Sequence, residues 1–431
     1  MKKAVRLQKL SAGACEMQKT ISPKAVSGSI LIPPSKSVAH RALICAALAH
    51  GQSRLSHIGD SDDMKATIGA LSSMGASFER DGDTLIVTGT GGVPKLEQCT
   101  ADCIESGSTL RFLIPVFSLC GGAVTLTGRG RLLERPQTVY ETLFASQGHS
   151  FFVDKSGVHL YGAVKSGEIT VDGSVSSQFI TGLLFTLPLC SGDSIIRIMP
   201  PFESASYVQI TCDVLSRFGI VVEQVDDNTF RIPGNQRYKP CDMAVEGDYS
   251  QMAFFGVLGA LCGEVKSTGL SQDSLQGDRV ICELLEQFGA QVDRSADAVR
   301  VQRAPLTGQV VDLADCPDLG PILMVLASFA DGVTHFLHAG RLRLKESDRI
   351  AAMEAELTKL GVNMSSDADS VTITSRRPMT APCTVEAHND HRVAMSLAIF
   401  ARVAEYPVTI NGAECVNKSY PAFFEDLSFL K

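Results

Sequence analysis

Cations and hydroxyl groups crowd the start of one predicted helix, Pro33–Gly51. Ser35, Lys36, Ser37 and Arg41 lie in its first two turns. A helix N-terminus exposes unpaired N–H groups and the positive end of the macrodipole, so it attracts phosphate or carboxylate groups. The same residues could instead form an ordinary N-cap with two exposed cations. This stretch alone leaves both interpretations open.

Similar polar clusters stand at the starts of five more apolar helical runs. They are Glu105–Ser106–Gly107–Ser108 with Arg111, Ser176–Ser177–Gln178, Asp248–Tyr249–Ser250, Asp318, and Asp390–His391–Arg392. Any single serine or aspartate at such a position is commonly an N-cap. Burying a cation at a positive helix end is costly unless an anion shares the site, so the lysine and arginines favour a ligand site.

Three further segments contribute charged side chains. Gly128–Gln137 carries three arginines and one glutamate, and the planar fork of arginine suits bidentate phosphate or carboxylate binding. Arg341–Ile350 mixes cations with carboxylates, although Glu346 and Arg349 at i,i+3 could simply stabilise a solvated helix start. Lys418 adds another cation near the C-terminus.

The acid–base candidates in these clusters are Lys36, Asp318, Glu346 and His391. Cations around a carboxylate lower its pKa and keep it a base, and cations around a lysine lower its pKa and make it a better proton donor. The sequence has no GxxxxGK[ST], no GxGxxG opening a helix, no HExxH and no GxSxG. Nucleotide, nicotinamide, zinc-hydrolase and serine-esterase chemistry therefore lose support. We expect group transfer by electrostatics and proton shuttling, with no metal and no cofactor.

A pattern repeated six times must position these residues. One helical run ends in a glycine about every 70 residues, and a predicted β-hairpin follows each of the first five. A second run, apolar nearly all round, precedes each, and such helices are buried inside a domain. We therefore predict an α/β fold of two similar domains, each with three βαβαββ units whose buried helices are surrounded by sheets. A solenoid of six units is the alternative architecture.

The six units divide most naturally three and three. We expect residues 27–246 to form the N-terminal domain, and residues 1–26 with 247–431 to form a discontinuous C-terminal domain. The last unit lacks a hairpin, and strands around Val5–Leu10 and Lys19–Ile21 could supply it. Helices that start at the C-terminal edges of strands would point their positive ends into a cleft between the domains, where small anions bind.

Composition narrows the function class. The chain has 431 residues and a net charge of −8, which argues against a nucleic-acid surface. Its 13 cysteines include no CxxC and are typical of buried free thiols in a reducing cytoplasm. No run has membrane-span quality and the N-terminus lacks a continuous apolar segment. We expect a cytoplasmic monomer that acts on small molecules, without nucleic-acid or membrane partners.

Seven motifs follow one another along the chain: PPSKSVAHRA, SGSTLRFL, LLERP, SVSSQF, LKESDR, NDHRVAM and NKSYPAFFEDL. Together, from about Lys19 to Leu427, they resemble the 5-enolpyruvylshikimate-3-phosphate synthase family. Any one motif is weak, but the ordered set is highly specific. The resemblance implies the two-domain, inside-out α/β barrel fold. It also implies transfer of the enolpyruvyl group of phosphoenolpyruvate to the 5-hydroxyl of shikimate 3-phosphate, with release of phosphate, in aromatic amino-acid biosynthesis.

The resemblance further implies roles for individual residues. The implied shikimate 3-phosphate ligands are Lys36, Ser37, Arg41, Ser176, Ser177, Gln178, Ser204, Tyr207, Asp318 and Lys345. The implied phosphoenolpyruvate ligands are Lys36, Gly107, Arg135, Gln178, Arg349, Arg392 and Lys418. The implied catalytic residues are Asp318 as general base at the 5-hydroxyl, with Glu346 and Lys36 for proton transfer at the enol methylene. His391, an acid–base candidate from its place at a helix start, completes the predicted catalytic set.

Two positions depart from the family pattern. Glu105–Ser106–Gly107–Ser108 stands where members often carry Asn-Ala-Gly-Thr, and Arg341 stands where some have an asparagine that touches shikimate. Gly107 itself is kept, and in this family a glycine here leaves room for the herbicide glyphosate. We therefore expect glyphosate to inhibit competitively with phosphoenolpyruvate.

Three alternative functions remain for comparison. The sister transferase that acts on UDP-N-acetylglucosamine shares the repeat fold, but it typically uses a cysteine on the loop that here is Gly128–Gln137, which has none. An RNA-end cyclase of related repeats would need a nucleotide site and a basic face. A non-catalytic repeat scaffold would explain the periodicity, but not the charged clusters at the helix starts.

Overall fold

The computed structural model describes residues 17–431, which form twelve α-helices and six β-sheets. The helices are α1 Lys36–Leu48, α2 Asp62–Ser73, α3 Gly107–Ser118, α4 Thr138–Ser146, α5 Ser177–Thr186, α6 Ala205–Arg217, α7 Tyr249–Cys262, α8 Ile281–Phe288, α9 Gly320–Ala327, α10 Arg349–Lys359, α11 His391–Val403 and α12 Phe423–Phe429. The strands are β1 Lys19–Ile21, β2 Val26–Leu31, β3 Gln52–Ser56, β4 Ser77–Asp81, β5 Thr84–Thr88, β6 Leu96–Asp102, β7 Gly121–Thr127, β8 Ser150–Asp154, β9 Gly157–Tyr161, β10 Glu168–Asp172, β11 Ser194–Met199, β12 Glu223–Asp226, β13 Thr229–Ile232, β14 Met243–Ala244, β15 Gly263–Thr268, β16 Gln291–Ser295, β17 Ala298–Gln302, β18 Val310–Asp312, β19 Thr334–Leu337, β20 Val362–Ser366, β21 Val371–Arg376, β22 Cys383–Glu386 and β23 Val408–Asn411.

Five of the sheets have the same four-stranded order. In the sheet β6-β7-β9-β8, for example, β6 and β7 are parallel and the hairpin β8–β9 adds antiparallel strands at the β7 edge. The predicted glycines end the second helix of each of the first five units, and Gly75, Gly148, Gly219, Gly289 and Gly361 all have positive φ. A residue with left-handed backbone conformation at this position ends the helix and turns the chain toward the hairpin that follows. The predicted repeat is confirmed.

Two separate hydrophobic cores divide the chain. One contains buried residues from Val38 to Val245, and the other contains residues from Ile21 to Ile32 and from Tyr249 to Leu430. We call the parts around them the first lobe (residues 36–245) and the second lobe (residues 19–32 and 248–430). Helices α1, α3 and α5 lie inside the first core, and α7, α9 and α11 lie inside the second. Their uniform burial explains why these helices are apolar on nearly every side.

The chain crosses between the lobes twice, at neighbouring points. The Ser35 amide donates to the carbonyl of Glu246 at 2.7 Å, and the Asp248 amide donates to the carbonyl of Pro33 at 2.9 Å. The second crossing lies between β14 and α7. The first lies after β2, later than the boundary predicted at residue 27, because β2 pairs in parallel with β15 and belongs to the second lobe. In the same way, β14 directly precedes α7 of the second lobe but pairs with β3 and belongs to the first lobe.

The sheet of the last unit is completed from the N-terminus. β1 pairs antiparallel with β23, which is parallel to β22. The prediction for Lys19–Ile21 is therefore confirmed, while the predicted strand at Val5–Leu10 lies outside the described residues. The assignment of residues 1–16 to the second lobe stays a prediction. Among residues 17–431, no helix combines the length and apolar character needed to cross a membrane.

Candidate active site

The N-terminal ends of α1, α3, α5, α9 and α11 open into one cleft between the lobes, with about 730 Å³ of empty space. Sixteen of the residues predicted from the sequence line this cleft: Lys36, Ser37, Arg41, Gly107, Arg135, Ser176, Ser177, Gln178, Ser204, Tyr207, Asp318, Lys345, Glu346, Arg349, His391 and Arg392. Converging helix N-termini and seven lysine and arginine side chains, which include Arg341, give the cleft an anion-attracting potential. Lys418 is the predicted residue that lies outside this lining.

Asp318 lies in the 3₁₀ turn Pro317–Leu319 ahead of α9 and is surrounded by cations of the second lobe. Its Oδ2 accepts a hydrogen bond from Arg392 Nη2 at 2.8 Å. Its Oδ1 lies 3.1 Å from Arg349 Nη1 and 3.4 Å from Lys345 Nζ. Burial alone would raise the pKa of Asp318, but the charges of Arg392 and Lys345 outweigh it and hold the pKa well below its ordinary value. Asp318 is therefore ionised at neutral pH and can accept a hydrogen bond or a proton.

Glu346 stands between the two lobes, just before α10. Its Oε2 accepts a hydrogen bond from Arg349 Nη2 at 2.6 Å, and its Oε1 lies 3.9 Å from Arg135 Nη1 of the first lobe. Burial would raise the pKa of Glu346, but these two arginines hold it well below its ordinary value. The expected i,i+3 pair with Arg349 is present, in the cleft rather than on a solvated helix face.

Lys36 is held by two carboxylates at the start of α1. Its Nζ lies 2.8 Å from Asp63 Oδ2, and its backbone N–H donates to Asp248 Oδ2 at 2.9 Å. Burial lowers the pKa of Lys36, but the charges of Asp63 and Glu346 outweigh it and raise the pKa above its ordinary value. We expected neighbouring cations to lower this pKa. That expectation is wrong for Lys36, because the sequence did not reveal its carboxylate partner.

Lys345 is the cleft lysine whose pKa is lowered. Burial lowers the pKa of Lys345 to about 8, with help from the charges of Arg341 and Arg349 and against the carboxylate of Asp318. A lysine in this condition is partly neutral in mildly alkaline solution and regains its proton when an anion binds beside it.

The arginines of the second lobe are positioned by a buried aspartate. Asp390, the N-cap of α11, is fully buried, and its Oδ2 accepts a hydrogen bond from Arg349 Nε at 2.8 Å. Its Oδ1 accepts from the backbone N–H of Arg392 at 2.9 Å. Asp390 and Asp318 thus fix two guanidinium groups toward the cleft.

A polar network at the starts of α3 and α5 forms the first-lobe wall. Ser176 is the N-cap of α5, and Gln178 Nε2 donates to Ser108 Oγ at 3.0 Å. Gln178 Oε1 accepts from Arg111 Nη1 at 3.0 Å. Burial lowers the pKa of Arg111 to about 9, so the guanidinium stays charged at neutral pH. Ser176, Ser177 and the α5 N-terminus together offer hydroxyl and amide donors to a phosphate.

Arg41 is buried beside this wall. Its Nε donates to Thr211 Oγ1 at 2.8 Å, and its terminal nitrogens donate to the carbonyls of Ser37 at 2.6 Å and Tyr207 at 2.9 Å. Burial lowers the pKa of Arg41 to about 10, which leaves it charged at neutral pH. The neighbouring Ser204 has a left-handed φ of 57°, a conformation that serine rarely adopts.

Gly107, the first residue of α3, leaves space for the side chain of Arg135. A Cβ atom at residue 107 would collide with the guanidinium of Arg135. A side chain here would therefore displace Arg135 from the cleft, which gives the glycine a physical reason in this chain.

His391 is buried at the start of α11. Neither ring nitrogen has a hydrogen-bond partner among residues 17–431. Burial, reinforced by the charge of Lys36, lowers the pKa of His391 to about 3, so the imidazole is neutral at physiological pH. His391 can therefore exchange hydrogen bonds with a ligand, but it is not a cation in this arrangement.

The two positions that depart from the family pattern both make contacts between the lobes. Arg341 Nη1 donates to Glu203 Oε2 and to Ser204 Oγ, each at 2.9 Å. Lys418 Nζ lies 2.7 Å from Glu105 Oε2, at the edge of the cleft. These contacts were not predicted.

The structure adds cleft residues to the predicted set, namely Asp63, Ser108, Phe112, Pro317 and Arg341. Asp63 is the most consequential because it fixes Lys36. In the sequence it stands in the first turn of α2, where an acidic residue is commonly explained by the helix dipole. No group of three or more His, Cys, Asp or Glu side chains in the described part of the chain is arranged to hold a metal ion.

Comparison with known proteins identifies the family. A sequence profile of EPSP synthase (3-phosphoshikimate 1-carboxyvinyltransferase) matches residues 21–427. The 3-phosphoshikimate 1-carboxyvinyltransferase of Clostridium kluyveri is 44% identical over 414 residues, covering 95% of this chain and 96% of that protein. The protein of the same name from Clostridioides difficile is 41% identical over 421 residues, covering 95% and 96%.

Solved structures agree with the sequence comparisons. An EPSP synthase from Acinetobacter baumannii superposes with a TM-score of 0.78 at 25% identity, covering 96% of this chain and 98% of that one. The enolpyruvyl transferase NikO from Streptomyces tendae superposes with a TM-score of 0.76 at 18% identity, covering 96% and 97%, and supports the fold alone. The predicted family, fold class and enzyme class are confirmed: the chain belongs to the EPSP synthase family, the 3-phosphoshikimate 1-carboxyvinyltransferases.

Proposed function

We propose that the cleft transfers the enolpyruvyl group of phosphoenolpyruvate to the 5-hydroxyl of shikimate 3-phosphate, and that the residues described above carry the reaction. The observation that supports it most is the convergence of Lys36 from the first lobe with Asp318 and Glu346 from the second in one cation-rich cleft. A charged, partly enclosed site of this kind suits two small multiply anionic substrates.

Shikimate 3-phosphate lies against the first lobe in this proposal. Its phosphate accepts hydrogen bonds from Ser176 and Ser177 at the start of α5, with Gln178, Lys36, Ser37, Arg41, Ser204 and Tyr207 nearby. Lys345 and Asp318 reach it from the second lobe. Phosphoenolpyruvate lies between the lobes, against Lys36, Gly107, Arg135, Gln178, Arg349, Arg392 and Lys418. Arginine pairs bind both its carboxylate and its phosphate with bidentate geometry.

The first chemical step is an addition. The ionised Asp318 accepts the 5-hydroxyl proton as the oxygen attacks C2 of phosphoenolpyruvate. The methylene carbon C3 gains a proton from Lys36, whose raised pKa makes it the protonated group in this part of the cleft. The result is a tetrahedral intermediate that carries a methyl group and still holds the phosphate.

The second step is an elimination. C3 loses a proton to the carboxylate of Glu346 or to the neutral Lys36, a new C=C bond forms, and the C–O bond to phosphate breaks. The phosphate leaves with the proton held by Asp318. The cations around both carboxylates stabilise the charge that develops on the departing phosphate. His391 stays neutral and contributes hydrogen bonds only.

The finer predictions extend this proposal. The enzyme is a cytoplasmic monomer, and glyphosate inhibits it competitively with phosphoenolpyruvate. Gly107 supports this, because the absence of a side chain there keeps Arg135 and the space beside it accessible.

The test is phosphate release from a mixture of the protein, shikimate 3-phosphate and phosphoenolpyruvate, in buffer without added metal or nucleotide. We expect one phosphate for each shikimate 3-phosphate consumed, and no release when either substrate is omitted. No release with both substrates, or equal release with UDP-N-acetylglucosamine as acceptor, would contradict the proposal.

A further inference from the structure

Glu105 belongs to the first lobe, yet its side chain binds a lysine of the second lobe. Its Oε2 accepts hydrogen bonds from Lys418 Nζ at 2.7 Å and from Asn389 Nδ2 at 3.1 Å. The same lysine nitrogen donates to the carbonyl of Asn389 at 2.7 Å. The carboxylate therefore ties the loop before α3 to two loops of the other lobe.

The backbone on the first-lobe side directs Glu105 toward this contact. Ile104 has a φ of 53°, and a β-branched residue in the left-handed region is strained. Asp102 Oδ1 fixes this turn by accepting the Ile104 amide at 2.9 Å. Across the loop, a Cβ atom at Gly130 would lie 2.7 Å from Glu105 Oε2, so a side chain there would push the carboxylate aside. The turn at Ile104 thus orients Glu105, and Gly130 leaves space for its carboxylate.

On the second-lobe side, Asn389 also has a left-handed φ, of 52°. Its side-chain amide and its carbonyl both join the cluster, one bonded to Glu105 and one to Lys418. The Lys418 side chain is 10% exposed and that of Glu105 is 27% exposed. The pair is therefore partly sheltered from solvent and screened less than a surface pair.

We propose that Glu105 sets the affinity for phosphoenolpyruvate by competing with it for Lys418, and that the same contact latches the two lobes. The inference rests on the proposed function, in which Lys418 binds phosphoenolpyruvate. A carboxylate 2.7 Å from the ammonium group already satisfies much of its charge, so an incoming anion must share the lysine or displace Glu105. The asparagine that family members often carry at this position has no charge and could not compete in this way.

The competition predicts a specific kinetic change in E105Q, a variant that keeps the shape of the side chain and removes its charge. The Michaelis constant for phosphoenolpyruvate should fall about three- to fivefold, as expected for a partly exposed ion pair. That for shikimate 3-phosphate should stay within about twofold. E168Q is the matched control, because Glu168 loses the same charge from an exposed first-lobe pair with Arg197, 2.6 Å away and outside the cleft.

A double-mutant cycle distinguishes an effect of the Glu105–Lys418 ion pair from a general change in the electrostatic potential of the cleft. In a K418M background, E105Q should leave the Michaelis constant for phosphoenolpyruvate within about 1.5-fold. An unchanged or higher constant for E105Q in the native background would overturn the competition. The same fall in the presence and absence of Lys418 would overturn it too.

The latch has a readout that needs no substrate. Small-angle scattering of E105Q should give a larger radius of gyration than the native protein or E168Q, because one contact between the lobes has lost its charge. Superimposable profiles would refute the latch, provided that the thermal transition of E105Q shows it to be folded. If the native protein releases no phosphate but the scattering difference is seen, the proposed reaction fails and the latch stands.

Discussion

The number of protons taken up when shikimate 3-phosphate binds should report how far Lys345 is deprotonated in the free protein. Burial and neighbouring cations lower its pKa from 10.5 to about 8, so charging this lysine is about 3 kcal/mol less favourable than in water. A bound phosphate ester adds negative charge to the cleft and restores the proton. Binding should therefore take up about 0.5 proton at pH 8, about 0.1 at pH 7 and about 0.9 at pH 9.

The assay is isothermal titration calorimetry in buffers of different ionisation enthalpy, from pH 7 to 9. The substrate phosphate does not interfere, because its second pKa is near 6. Asp278 is a second group that can take up a proton when the ligand binds, because burial raises its pKa to about 7. Its share of the measured proton uptake should decline above pH 8. Above pH 8 the dissociation constant for shikimate 3-phosphate should rise with pH, and the slope should approach a tenfold increase per pH unit.

K345R tests the assignment, because arginine keeps the charge and does not titrate in this range. It should abolish the uptake at pH 8–9, while K65R, at an exposed lysine paired with Asp62, should leave it unchanged. An uptake below about 0.1 proton at pH 8 in the native protein, or an undiminished uptake in K345R, would refute the reasoning.

Three other predictions concern catalysis, stability and inhibition. D318A and K36M should each lower kcat by about 10²- to 10⁴-fold, and near-native kcat in both would show that the proton-transfer roles are wrong. R349M leaves the buried Asp390 without its cation and should lower the free energy of unfolding by about 3–5 kcal/mol in urea denaturation at pH 7. Because the pKa of Asp390 is lowered in the folded state, the difference in unfolding free energy between the native protein and R349M should shrink as the pH falls below about 4. An equal difference at pH 3 and pH 7 would contradict a stabilising role of the Arg349–Asp390 pair. Glyphosate should raise the Michaelis constant for phosphoenolpyruvate without changing the maximal rate, and normal activity at high glyphosate would count against the role given to Gly107.

The repeat and the buried helices could be predicted because each rests on local chemistry. Helix α5 has no charged side chain, and a glycine such as Gly219 or Gly289 can end a helix in any context. The prediction assigned the chain from residue 27, and so nearly all of β2, to the first domain, but β2 pairs with β15 of the second lobe. β2 and β14 occupy the same place in the repeat and their sheet partners are chosen by long-range packing, so the sequence could not predict this pairing of β2.

The cleft residues could be predicted because charged side chains at helix starts have few structural explanations. Their partners could not, because an ion pair joins residues far apart in sequence. Asp63 raises the pKa of Lys36. At Lys345 the carboxylate of Asp318 is shared with Arg349 and Arg392, and burial together with neighbouring cations lowers the pKa instead. Glu105 was seen as a departure from the family pattern, and only the fold showed that it meets Lys418.

The central claim is that one cleft joins the two substrates by addition and elimination, with Lys36 and Glu346 moving a proton at C3. The most direct test is mass spectrometry of the product formed in D₂O from unlabelled shikimate 3-phosphate and phosphoenolpyruvate. The account predicts deuterium in the vinyl methylene group and none on the shikimate carbons. Product without deuterium would contradict the proton transfers at C3, and no product would contradict the reaction itself.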